Sequence, residues 1–200
     1  MTLSDLHEIG WLSWFADGMR WNDQLTEQLD WHWQRQLRGR LSGLTDDEYF
    51  WEPVSNAWSL RPRGTGTAPI QAGTGAWTLD FAFPEPSPVP VTTIAWRLGH
   101  VIVGVLGGRN AAHFGGPPID YESFTYAGSA DEALTQLDMQ YATWLDGVRS
   151  LGEDGLAQPC GPAEGPFAEA PMATLVLHIS REVLHHGAEI ALLRDLCSNR

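Results

Sequence analysis

PMATLVLHISREVLHHGAEIALLRDL, residues 171–196, carries apolar side chains at Met172, Val176, Ile179, Val183, Ile190 and Leu193. Steps of four and three place them on one stripe of a helix, and such a stripe is buried against other helices. The same step from Val183 lands on His186 before it reaches Ile190, so an imidazole stands where a core side chain belongs. Glu182 lies one turn earlier on nearly the same face, and His178 one turn before that. A carboxylate and an imidazole at i and i+4 project the same way from neighbouring turns and can reach one small object, such as a divalent metal ion. A single core histidine is more often satisfied by hydrogen bonds than by a metal. Here, however, Glu182 would be buried beside it, and an unpaired buried charge costs on the order of several kcal/mol. The fold therefore needs either a cation or a strong hydrogen-bond network at this point. Arg181 and Arg194 are available along the helix, but Arg181 is expected on a different face. On these residues alone both readings stay open.

Three further segments repeat the helical pattern. Residues 17–42 place Trp21, Leu25, Leu29, Trp33, Leu37 and Leu41 at steps of four, and Gly43 closes the run. Thr45-Asp46-Asp47-Glu48 has the form of a capping box, which predicts a short helix through Tyr49 and Trp51. A second long helix is predicted from Thr92 or Thr93 to about Phe114, with Ile94, Leu98, Val101, Val105 and Ala112 on its stripe. His100 stands at the edge of that stripe beside Gly99, and a glycine inside a helix points to close approach by a neighbour. Ser129-Ala130-Asp131-Glu132 caps a third helix over 129–151, whose apolar stripe from Leu134 to Leu151 holds no ionisable residue. Gly152 stops it, and Pro171 opens the fourth helix, over 171–196. A short lead-in helix over residues 3–16 is expected from Leu3, Leu6, Trp11, Trp14 and Phe15.

The expected architecture is all-α, a four-helix bundle with long connections, as a single domain over 1–200. Residues 52–90 break the pattern with Gly64, Gly66, Gly73, Gly75 and Pro84, Pro86, Pro88, Pro90. Inside this insertion residues 76–83 alternate large apolar with small or polar side chains, which predicts an extended segment or edge hairpin. Such a long connection either covers the mouth of a pocket or is a solvent-exposed strap. Bundle cores assemble metal sites from facing helices, and here helix four offers Glu182 and His186 while helix two offers His100. His32 and His113 read as structural, the first for want of a second ligand type nearby, the second because a histidine near a helix C-terminus suits the dipole.

Composition narrows the function. All twelve basic residues are Arg against twenty-five acidic residues, for a net charge of −13. That balance argues against binding a nucleic-acid backbone or an anionic membrane surface. There is no apolar run of membrane-spanning length and no signal-peptide pattern at the N-terminus, so a cytoplasmic protein is expected. Cys160 and Cys197 have no CxxC spacing and read as free thiols, Cys160 without a basic neighbour to activate it. Ten tryptophans exceed what one helical core needs, which leaves some for a pocket or for a homodimer interface.

Three stretches, LDWHWQRQLRGRLSGLTDDEYFWEPV, AWRLGHVIVGVLGGRNAAHFGG and REVLHHGAEIALLRDL, carry a likeness to a known family. Together they resemble the DinB-like superfamily of metal-binding four-helix proteins, which includes the mycothiol-dependent maleylpyruvate isomerases and the bacillithiol transferases. The resemblance implies one histidine ligand on helix two and an i, i+4 ligand pair on helix four, which maps onto His100, Glu182 and His186. Many members use His-x-x-x-His on helix four; Glu-x-x-x-His here resembles the mycothiol-dependent isomerase branch. His178 and His185 are alternative ligands by register.

Two imidazoles and a carboxylate leave open coordination positions, and zinc and nickel both accept these donors. The resemblance implies an enzyme in which the metal activates a low-molecular-weight thiol that attacks an electrophilic substrate. The acidic balance disfavours any DNA role suggested by the family's name. From a different class comes the alternative of a non-catalytic bundle that binds a metal or small molecule.

Overall fold

The structure, a computed structural model, describes residues 19–200. The expected lead-in helix over 3–16 and the start of helix one lie outside the described residues. The rest is mostly helical. Helix α1 (Trp21–His32) continues through a π-helical turn (Trp33–Leu37) and a 3-10 turn (Arg38–Leu41). The short α2 (Asp46–Tyr49) carries a full capping box: the Thr45 hydroxyl accepts from the Glu48 N–H at 3.2 Å, and the Glu48 carboxylate accepts from the Thr45 N–H at 2.9 Å. Helix α3 (Ile94–His100), capped by Thr93, widens into a π-helical stretch (Val101–Gly107) that runs on into α4 (Gly108–His113). Helix α5 (Ala130–Leu156) bends at Gly152, whose φ of 58° breaks the helix before one more turn. Its capping box is half formed, because the Glu132 carboxylate accepts from Gly128 N–H instead of Ser129. Helix α6 (Met172–Ser198) follows a 3-10 segment (Pro162–Phe167).

The predicted stripes face one another. Leu29, Trp33 and Leu37 of the first helical run meet the α5 and α6 stripes, and Leu98, Ile102 and Leu106 meet them from the other side. Trp33 stacks flat on Tyr141 with ring centroids 3.7 Å apart. On α6, Met172, Val176, Ile179, Val183, His186 and Ile190 are all buried. Trp21, expected at the start of the first stripe, is 58% exposed.

The 52–90 insertion is where the all-α expectation needs correction. It holds a three-stranded antiparallel sheet of β1 (Leu60–Pro62), β2 (Ile70–Ala72) and β3 (Trp77–Phe81), in the order β1-β3-β2. The 77–81 run is thus the middle strand and not an edge. Both its faces are covered, which period-two alternation cannot reveal. Leu79, level with Leu60 and Ala72, enters the helical core. On the other face the buried Asp80 carboxylate accepts from Ser59 N–H at 3.0 Å and from Arg61 Nε at 3.2 Å. Gly99 is what lets this sheet close on α3: a Cβ there would stand 3.1 Å from Leu79 and 3.3 Å from Tyr126.

Candidate metal centre

His100 is the last residue of α3, at the point where the backbone changes from α to π pairing. Pairing to i+5 widens the turn, so side chains four to five apart share a face. His100, Gly104, Val105 and Arg109 accordingly form one wall of a cleft of about 320 Å³, with His178, Ile179 and Glu182 of α6 opposite. Tyr121, from the loop after α4, completes the lining. Its hydroxyl lies 2.6 Å from His100 Nδ1, in a space that exists because residue 104 is glycine; a Cβ there would overlap the hydroxyl.

From α6 the buried His186 approaches the same point. Its Nε2 lies 3.1 Å from His100 Nε2 and 3.5 Å from a carboxylate oxygen of Glu182, and its Nδ1 lies 2.7 Å from Glu189. Each imidazole is therefore held at Nδ1, His100 by Tyr121 and His186 by Glu189, and presents Nε2 to the other. The His100–His186 and His186–Glu182 spacings of 3.1 and 3.5 Å suit neighbouring ligands around an ion with bonds of about 2.1 Å. These three are not as compact a group as His185, His186 and Glu189, so the Glu182 side chain has to swing toward His100 to share one ion with it. A carboxylate on the far nitrogen of a histidine is also the usual support of a metal-binding imidazole. Glu182 reaches His186 but makes no direct contact with His100.

The protons can be placed without an ion. His186 donates from Nδ1 to Glu189, which leaves its Nε2 as acceptor; His100 donates from Nε2, and Tyr121 donates its O–H to His100 Nδ1. The chain Tyr121–His100–His186–Glu189 then has every shared proton assigned. Burial, with His186 and Arg97 beside it, lowers the pKa of His100 to about 4, so it is neutral at physiological pH and keeps a lone pair for a ligand or hydrogen bond. Burial pushes the Tyr121 phenol up to about 12.

Of the three residues singled out from the sequence, His100 and Glu182 line the cleft, and the buried His186 lies against both. His178 stands 3.5 Å from Glu182, and Arg181 donates to its Nδ1 at 2.6 Å. Arg181 also comes within 3.6 Å of Glu182, so it reaches that carboxylate despite its expected different face. His185 is exposed and turns to Glu189 at 3.5 Å. His185, His186 and Glu189 form a compact donor group, all within 4.8 Å of one another, but Arg97 already holds Glu189 at 3.2 Å. Sequence reading missed Glu189 and Tyr121. Glu189 was signalled by its place one turn after His186, whereas Tyr121 arrives from a loop with no local signal.

None of the other candidates lines this cleft. His113, on α4, contacts Glu164 at 2.9 Å, and both side chains are buried. His32 is half-buried, its pKa lowered by desolvation. Cys160 is buried and its thiol pKa is raised by that burial. No described helix is long and apolar enough to cross a membrane.

In comparisons with known proteins, the sequence model of the DinB superfamily matches residues 28–190. No curated protein and no solved structure matches the chain.

Proposed function

The chain belongs to the DinB superfamily, and from that premise we propose that it is a metal-dependent thiol transferase or isomerase in which His100, Glu182 and His186 hold zinc or nickel. The observation that carries the proposal is the pair of imidazole Nε2 atoms 3.1 Å apart at a cleft, each ring fixed through its Nδ1, with Glu182 beside them. Fixed rings with converging nitrogens lose little freedom on taking a cation, and a neutral His100 has only one ring proton, which moves to Nδ1, facing the Tyr121 hydroxyl, when Nε2 takes the ion. A bound ion would lower the pKa of a thiol at an open coordination position, so that thiolate forms near neutral pH. For this chain's own part, Glu189 and Tyr121 orient the two rings, and Ile179 and Val105 line the cleft with apolar surface that limits water. Localisation in the cytoplasm, where low-molecular-weight thiols are abundant, and a homodimer belong to the same proposal.

The uninterrupted hydrogen-bond chain from Tyr121 to Glu189 favours a second reading, a metal-free network in a non-catalytic small-molecule binder. Elemental analysis of untagged protein separates the two. About one zinc or nickel ion per chain, lost in His186→Ala, is the expected result; no metal in either protein after incubation with both ions favours the network. Thiol-dependent turnover of a panel of electrophiles then distinguishes an enzyme from a metal-binding protein without activity.

A further inference from the structure

We propose that the cleft contains an anion subsite at Arg109, so that its small-molecule ligand carries a carboxylate. The proposal rests on the cleft being the working site and adds the charge of what enters it.

Arg109 stands on the same π-widened wall as His100 and lines the same cleft, and about a third of its side chain is exposed. Nη1 donates to the Gly104 carbonyl at 2.8 Å, which fixes the guanidinium along the wall. Nη2 donates to Glu164, but at 3.4 Å, and the other oxygen of that carboxylate already faces His113 at 2.9 Å. Nε is buried with no partner. Of the five N–H donors of a guanidinium, only these two are engaged, one of them weakly. Two other part-buried arginines are held more firmly: Arg38 makes two bonds of 2.7 and 2.9 Å to Asp138, and Arg61 bonds to Glu52 at 2.6 Å. In a chain with a net charge of −13, an arginine in a cleft with most of its donors unspent stands out.

The cleft's other polar groups are already committed or carry the wrong charge for this task. Tyr121 is bonded to His100, His178 to Arg181, and Glu182 would repel an anion at its own end. The wall therefore orients a ligand, anionic group toward Arg109 and the opposite end toward His100 and His186. His100 and Arg109 are nine residues apart along the helix, roughly 13 Å at most at α-helical rise, a span bridged by one small molecule once the side chains reach inward.

The test uses the full-length chain, with chelator present and again as purified, titrated with benzoate and with its neutral isostere benzamide by calorimetry. Wild type should prefer benzoate by about tenfold, the scale of one charge-assisted contact. Arg109→Gln should erase the preference, weakening benzoate far more than benzamide. Glu164→Gln, which keeps one acceptor oxygen for Arg109, turns an amide donor toward His113 Nε2 and removes the competing charge, should tighten benzoate alone. Equal affinity for the two probes in wild type, no saturable binding of benzoate, or an unchanged preference in Arg109→Gln overturns the proposal. The Glu164→Gln arm guards against a fold lost in Arg109→Gln, because a purely structural Arg109–Glu164 contact predicts no gain for benzoate. Metal content measured on the same samples reports separately on the metal site.

Discussion

His100 is the residue whose environment has the most direct consequence for stability. In the unfolded chain it takes up a proton near pH 6.5, whereas in the folded chain it does so only near pH 4. Between those values the unfolded state holds more protons, so stability rises with pH across the window and is lost as pH falls through it. The two pKa values allow up to roughly 3 kcal/mol for this one group. Urea midpoints of chelator-treated protein measured from pH 7 to pH 4 should therefore fall more steeply for wild type than for His100→Gln, whatever the variant's own baseline. Equal slopes would mean that neutral burial of His100 is not the cause. At this scale much of the candidate site was legible. His186 interrupts an apolar stripe, Glu182 precedes it by one turn, and Gly99 beside His100 marks a close approach that the structure assigns to Leu79 and Tyr126. Tyr121 was not legible, because what admits it is a missing Cβ at Gly104, seventeen positions away on another element.

Among the elements, α6 does more than carry Glu182 and His186. Near its C-terminus Arg194 donates from Nη1 to the carbonyls of Arg40 and Ser42, at 2.6 and 2.8 Å, and from Nε to Glu48 at 2.9 Å. One guanidinium thus ties the last helix to the exit of the first and to the capping box of α2. Glu48 is held below the usual carboxylate pKa, chiefly by its bond to Arg194. Arg194→Ala leaves two carbonyls and a carboxylate without this partner and should cost about 2–4 kcal/mol, read from urea unfolding. Arg194→Lys should recover only part of that, since an ammonium cannot reach the same three groups in a plane. Because the folded pKa of Glu48 is depressed, its share of the stability is present above the unfolded carboxylate pKa and is lost as pH falls through the folded one. The helices themselves were legible because steps of three and four recur over many turns. The π turns inside them were not: wider pairing is selected by what packs on the helix, here Ile119 and Tyr121 against Gly107 and Gly104.

For the whole molecule the decisive feature is the small sheet: local pattern gave residues 76–83 as an extended segment or edge hairpin, and tertiary packing makes 77–81 the middle strand of a sheet set against the core. Leu60, Ala72 and Leu79 belong to the same apolar cluster as the helical stripes, so the sheet and the helices should unfold together. Asp80 is the polar centre of that junction. It accepts from Ser59 N–H, Arg61 and Gln71, its own carbonyl accepts from Trp96 Nε1 at 2.8 Å, and its side chain is 4% exposed. Asp80→Ala would strand a buried backbone N–H and leave Arg61 with only its Glu52 and Ala57 contacts. The expected loss is about 3 kcal/mol, which for a chain of this size lowers Tm by roughly 6–12 °C. Since Leu79 lies against Gly99, next to His100, loosening the strand should also loosen one wall of the cleft. The check is thermal unfolding of Asp80→Ala followed by both helical circular dichroism and tryptophan fluorescence. A single, coincident, down-shifted transition is expected; a fluorescence step that precedes the loss of helix would show that the sheet melts alone and is not part of the unit that positions His100.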